Sequence, residues 1–206
     1  MYSENVYKMY SEIVFSSHIQ QSYSGRFKMK IKLMDCTLRD GANVVGKGFS
    51  AEITDMVLDG LTACHVPIIE FGNAGGIGAY EVAGFTDALT DQEYLEKYKG
   101  RSSELGMFLN ANRYREKNVV LAAEKGLSFL RVGADAGDAD ISLQAIKDIK
   151  KNNLKAFYSS MKAYLLNPTE LAEEGKKLGQ MVMDNLAQLD LNPRGVFVRT
   201  KEEKGH

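Results

Sequence analysis

Residues 129–160 read FLRVGADAGDADISLQAIKDIKKNNLKAFYSS, and they hold one complete strand–helix–strand unit. Phe129–Asp135 and Lys155–Ser160 are short runs, apolar on both faces, as strands buried in a parallel sheet are. Between them Ile141, Ala145 and Ile149 recur at four-residue spacing, which predicts an amphipathic helix with this stripe inward. The lysines that follow sit near its negative end. A strand, a helix and a strand in this order form the repeating unit of a βα fold.

Working outward, the same alternation continues upstream. Leu105–Asn110 (LGMFLN), Pro67–Gly72 (PIIEFG) and Lys30–Asp35 (KIKLMD) read as three earlier strands. Ser50 is placed to cap a helix whose Ile53, Val57, Leu61 and Cys64 share a face. Thr90 and Glu93 form a capping box. The stretch from Val119 to Lys125 ends at Gly126, suited to the left-handed position after a helix, and Asn167-Pro168 opens another helix downstream. An eight-unit barrel uses about 31 residues per unit. The part of this chain of 206 residues that follows position 28 therefore covers about six. The expectation is an α/β chain of the (β/α)8 TIM-barrel type, partial, with five to six βα units over residues 29–206. Residues 1–28, rich in Tyr and Ser, read as an extension that is disordered or helical. Gly195–Val198 (GVFV) is one further β-like run before a charged tail.

Composition narrows the function classes. Lys and Arg total 26 against 27 Asp and Glu, for a formal net charge of -1, so no general attraction to nucleic acid or to a membrane surface is expected. No apolar run reaches the ~18 residues of a membrane span. Cys36 and Cys64 stand far apart without a paired framework, which fits a reduced, cytoplasmic protein.

Chemistry in a parallel βα fold gathers at the carboxyl ends of the strands. Strand one runs into Asp35-Cys36-Thr37-Leu38-Arg39-Asp40-Gly41. Arg39 and Asp40 put a fixed cation beside a hard oxygen ligand. Such a pair suits a divalent metal on the carboxylate with the guanidinium on a developing enolate oxygen, and equally an ion pair closing a barrel mouth. Glu70, at the end of a buried strand, needs a partner, and Arg39 is the candidate. The glycine-rich loop Gly72–Gly78 lacks the P-loop ending, so Gly75 and Gly76 are read as substrate-proximal backbone. Asn110 and Asp135 fall at strand ends, where they line the mouth or cap loops. Lys162 reads as an exposed lysine or as a Schiff-base amine. His65 follows Cys64 directly, so the two diverge by about 100° on a helix and do not face one metal.

The Asp35–Gly41 segment resembles the Asp-x-Thr-Leu-Arg-Asp-Gly signature of the pyruvate-utilising metal-dependent aldolases and lyases. These include 4-hydroxy-2-oxovalerate aldolase, hydroxymethylglutaryl-CoA lyase and the isopropylmalate and homocitrate synthases. Ile69–Gly78 (IEFGNAGGIG) is similar to the strand-two end and loop of the 4-hydroxy-2-oxovalerate aldolase branch, and the resemblance extends over about residues 30 to 178. It implies carbon–carbon cleavage of a 4-hydroxy-2-oxo acid through a pyruvate enolate, with Arg39 stabilising the enolate and Asp40 holding Mn²⁺ or Mg²⁺. In that branch a histidine three residues past the aspartate acts as the base. Here the position is Asn43, and an amide takes no proton at neutral pH. The family draws two further ligands from a His-x-His pair, whereas His18, His65 and His206 form none, so the resemblance implies a weak, incomplete metal site. The partners it implies are a small keto acid and an aldehyde dehydrogenase, while the unpaired edges of an open half-barrel favour association with a second copy of the chain. Two other readings stand beside the aldolase: a Claisen-type acyl transfer of the isopropylmalate synthase kind, and a non-catalytic truncated barrel acting by association.

Overall fold

The computed structural model describes residues 32–83, 89–97 and 101–187. The extension 1–28, the first residues of the strand expected at 30–35 and the β-like run 195–198 lie outside the described residues. Five strands form one parallel sheet in sequential order: β1 (Met34–Asp35), β2 (Ile68–Glu70), β3 (Glu104–Asn110), β4 (Phe129–Asp135) and β5 (Lys155–Met161). The helices between or after them are α1 (Thr37–Asp40), α2 (Ala51–Ala63), α3 (Ala79–Ala83), α4 (Asp91–Lys97), α5 (Glu116–Glu124), α6 (Leu143–Lys151) and α7 (Pro168–Ala187). Sequential parallel neighbours need crossover connections, which in this arrangement are right-handed almost without exception and carry their helices to one side of the sheet. The sheet curls as a half-barrel of the TIM-barrel type, a partial α/β fold.

Strand register divides the side chains between two faces. Ile69, Phe71, Leu105, Met107, Leu109, Leu130, Val132 and Ala134 face the helices. They join Leu58 and Leu61 of α2, Val119 and Ala122 of α5, and Ala145, Ile146 and Ile149 of α6 in one continuous core. Glu70 pairs with Gly106, Gly106 with Phe129, and Phe108 with Arg131, so these five residues share the opposite, concave face. That face combines charge and aromatic rings, and it positions the candidate site.

The helix starts expected from the sequence are present. The Ser50 hydroxyl accepts from the Ile53 N–H at 3.3 Å. Thr90 and Glu93 satisfy each other's backbone N–H groups. Asn167 Oδ1 accepts from the N–H groups of Thr169 and Glu170, each at 3.0 Å. Gly126 takes the left-handed conformation, with φ +81°. Two helical stripes differ from expectation. In α2 the buried residues are Thr54, Leu58 and Leu61, while Ile53 is exposed. In α6 they include Ala145, Ile146 and Ile149, while Ile141 lies exposed in a 3-10 turn ahead of the helix. In both cases the first apolar residue belongs to the entry turn, where the chain has not yet reached the face that meets the sheet.

Candidate active site

The site begins where β1 ends. Asp35 accepts from the Thr37 backbone N–H at 2.9 Å and from its hydroxyl at 3.2 Å, which turns the chain at once into α1. Leu38 is driven into the core, and Arg39, next along the turn, reaches across to β2. The segment at the end of strand one is thus a short helix followed by a 3-10 turn, Gly41–Asn43.

Arg39 Nε donates to Glu70 Oε1 at 2.5 Å, and Arg39 Nη1 donates to Asp40 Oδ1 at 2.8 Å. The ion pair expected between Arg39 and Glu70 is therefore present, but Glu70 has a second partner. Arg131, in the middle of β4, grips the same carboxylate with Nε on Oε2 at 2.6 Å and Nη2 on Oε1 at 2.7 Å. The Glu70 side chain is 0% exposed and each arginine side chain 12%. Both guanidiniums lie against the Phe108 ring, at 4.9 Å for Arg39 and 5.0 Å for Arg131, a favourable cation–aromatic arrangement. Burial by itself would lower the pKa of Arg131, but the hydrogen bonds and charge of Glu70 outweigh it and hold the guanidinium charged. The two buried cations share one buried carboxylate, and the second countercharge, Asp40 on Arg39, stands exposed at the mouth. Arg39 Nη2 has no hydrogen-bond partner among the described residues.

The room for this arrangement comes from glycine. A methyl group at Gly133 would overlap the Phe108 ring, and one at Gly106 would overlap the Phe129 ring. Each ring therefore lies over a neighbouring strand's glycine, and Phe108 forms the floor on which the two arginines rest.

The remaining sequence-derived residues are placed as follows. Asp40 is at the mouth, bonded to Arg39, with its side chain 67% exposed. Asn43 is exposed, and its amide donates to the Asp40 carbonyl at 3.1 Å, closing the turn. Gly75 donates its N–H to Asn73 Oδ1 at 2.9 Å, and its carbonyl accepts from Arg113 Nη2 at 2.5 Å. Gly76 is buried, with φ +84°, and packs on the backbone of Phe108. The backbone of these two glycines is thus already engaged within the fold. Asn110 Oδ1 accepts from the Asn112 N–H at 3.0 Å and caps the turn after β3. Lys162 is exposed, and its Nζ pairs with Asp135 Oδ2 at 2.6 Å. That bond raises the lysine's pKa, opposite to what a Schiff-base amine needs. His65 is exposed, with φ +57°, at the end of α2.

Cys36 lies beside the cluster, where burial and then Glu70 push its thiol up to about 11. It is therefore a neutral thiol and a poor nucleophile. Among the described residues no group of three or more His, Cys, Asp or Glu is arranged to hold a metal ion. Both Glu70 oxygens are taken by arginines, so Asp40 is the one carboxylate of the cluster accessible to a cation. One carboxylate among the described residues does not make a tight site for a divalent cation.

The sequence has counterparts among known proteins. The chain is 26% identical over 151 residues to the 4-hydroxy-2-oxovalerate aldolase of Geobacillus genomosp. 3, covering 72% of this chain and 45% of that protein. It is 30% identical over 149 residues to the protein of the same name from Carboxydothermus hydrogenoformans, covering 71% of this chain and 44% of that one. The sequence is homologous to the 4-hydroxy-2-oxovalerate aldolases. An oxaloacetate decarboxylase of Mycobacterium tuberculosis is 28% identical over 147 residues, 70% of this chain and 43% of that protein. These homologues place the chain with the pyruvate-utilising aldolases and lyases, of which it represents a part. It spans a little under half the length of the curated relatives it matches. No family model matches it. Among solved structures, the amino-terminal domain of a Bacteroides vulgatus protein assigned as an aldolase superposes with a TM-score of 0.50 at 17% identity. That match covers 75% of this chain and 60% of the other, and it supports the fold.

Arg131 escaped the reading of the sequence. Its signal was present: a lone charged residue in the middle of the otherwise buried strand FLRVGAD must meet a countercharge on the concave face.

Proposed function

We propose that this chain carries the enolate-stabilising part of an aldolase site acting on a 4-hydroxy-2-oxo acid. The observation that supports it is the buried Arg39–Glu70–Arg131 cluster at the carboxyl ends of β1 and β2, whose Arg39 keeps a free N–H beside the exposed Asp40. A keto acid entering the mouth brings an oxygen that gains negative charge as the carbon–carbon bond breaks. A fixed guanidinium donor stabilises that charge without reorganising, because Glu70 already holds it in place. Phe108 lines the floor and excludes water from the buried side of the guanidiniums. Asn43 supplies no base, since its amide neither accepts a proton at neutral pH nor is free of the turn.

The test is exchange of pyruvate methyl protons for deuterium, followed by proton NMR, with and without added Mn²⁺. Exchange by the wild type and its loss in Arg39→Ala are expected, and equal rates in the two proteins would overturn the assignment.

A second reading is favoured by the engagement of Asn43 and by the single accessible carboxylate: the chain binds a keto acid without turning it over. Binding of oxalate with no methyl exchange would select it.

A further inference from the structure

We propose that Arg131 is a positioning residue of this site: by gripping both oxygens of Glu70 at once it keeps Arg39 from forming its own two-point pair with that carboxylate, so that Arg39 Nη2 stays free for an oxyanion. The inference rests on the reading of Arg39 as the oxyanion donor.

A guanidinium and a carboxylate left to themselves form two parallel N–H···O bonds. Arg39 and Glu70 do not. Arg131 takes both oxygens, Nε on Oε2 at 2.6 Å and Nη2 on Oε1 at 2.7 Å, and Arg39 is left with one bond, Nε on Oε1 at 2.5 Å. A parallel pair of bonds from Arg39 would need the side of the carboxylate that spans both oxygens, and Arg131 holds that side with its own two bonds, leaving Arg39 Nε as a second donor on Oε1 alone. Arg131 can hold this place because it is on β4, in register with Phe108 of β3, and the Phe108 ring carries both guanidiniums. Without Arg131, Oε2 of a fully buried carboxylate would lack a partner, a state costly enough to draw Arg39 Nη2 into the gap. The donor needed for substrate would then be consumed inside the protein.

Arg131→Lys separates this role from simple neutralisation. A lysine ammonium keeps the charge but is a single point and does not reproduce the two-point grip. In a ¹⁵N-labelled full chain, arginine side-chain NMR reads the Nε and Nη signals of Arg39 directly. In Arg131→Lys and Arg131→Gln the Arg39 Nη signals are expected to shift, and rotation about its Cζ–Nη bonds to slow, as the second bond to Glu70 forms. Oxalate, a planar dianion resembling the enolate, should bind these variants at least tenfold more weakly, and any methyl exchange should fall in kcat rather than in KM.

Arg39 signals that superimpose on those of the wild type in either folded variant would overturn the proposal. If wild-type protein neither binds oxalate nor exchanges pyruvate protons, the functional reading fails by itself, while the NMR comparison still decides whether Arg131 sets the bonding of Arg39.

Discussion

Glu70 carries more of the site than any other residue, because both arginines depend on it. Removing one member of a buried charge cluster leaves its partners uncompensated, at a cost of about 3–5 kcal/mol. Glu70→Ala is therefore expected to lower the urea midpoint strongly. Asp40→Asn, at an exposed position, should leave the midpoint almost unchanged. The same Asp40 variant tests the metal: Mn²⁺ titration followed by water-proton relaxation should show weak binding by the wild type that disappears in Asp40→Asn, and retention would move the cation elsewhere. At this scale the sequence was legible where one residue's need is local. A carboxylate ending a buried strand demands a cation, and Arg39 was the nearest candidate. Arg131 was not found, because its partner lies 61 residues away and is reached through strand register rather than through a motif.

At the scale of elements, caps and glycines were readable and the exact stripes were not. Ser50, Thr90, Glu93, Asn167 and Gly126 act through neighbours two to three residues away or through their own backbone angle. Ile53 and Ile141 depend on where a helix meets the sheet, which periodicity alone does not fix. Gly133 links element packing to the site. A methyl group there would push the Phe108 ring and tilt the platform under both guanidiniums, so Gly133→Ala is expected to weaken oxalate binding without altering any charge. Overpacking costs typically about 1–3 kcal/mol, measurable in the same urea titration.

The start of α4 adds a pH dependence. Asp91 is buried and accepts from the Gly78 N–H through Oδ2 at 2.6 Å, while its Oδ1 has no partner among the described residues. Burial pushes its carboxyl up from 3.8 to about 6, against the opposing hydrogen bond from Gly78. Because the folded form holds its proton more tightly than the unfolded chain, the stabilisation is complete below about pH 4 and is lost as pH rises through about 6. The shift corresponds to about 3 kcal/mol. Asp148 and Glu81, whose pKa values are lowered, act in the opposite sense, so the effect is read as a difference. Asp91→Asn keeps an oxygen for Gly78 and does not ionise. Stability of the wild type relative to this variant should fall between pH 4 and 6.5, and parallel curves would remove Asp91 from the account.

For the whole molecule, the count of five units over residues 32–187 was within reach of length arithmetic, because each strand–helix unit has a nearly fixed size. What lies beyond β5 on its free side was not, since strand pairing depends on contacts distant in sequence. The register of β5 on β4 makes that side open to test. In a parallel ladder alternate residues of a strand bond to the same neighbour. The Lys155 N–H bonds to Ser128 and the Met161 carbonyl accepts from Ala136, so Lys155, Phe157, Ser159 and Met161 point their amides at β4. Those of Ala156, Tyr158 and Ser160 point away from β4, to the edge that pairs with no other strand among the described residues. Hydrogen exchange read residue by residue should therefore alternate along β5, with Phe157 and Ser159 exchanging about a hundredfold more slowly than Ala156 and Tyr158. Dilution should leave the alternation unchanged if the edge stays unpaired. Uniform protection along the strand, falling on dilution, would show instead that a second copy pairs with this edge. Uniform protection independent of concentration would show that the edge is covered within the chain itself.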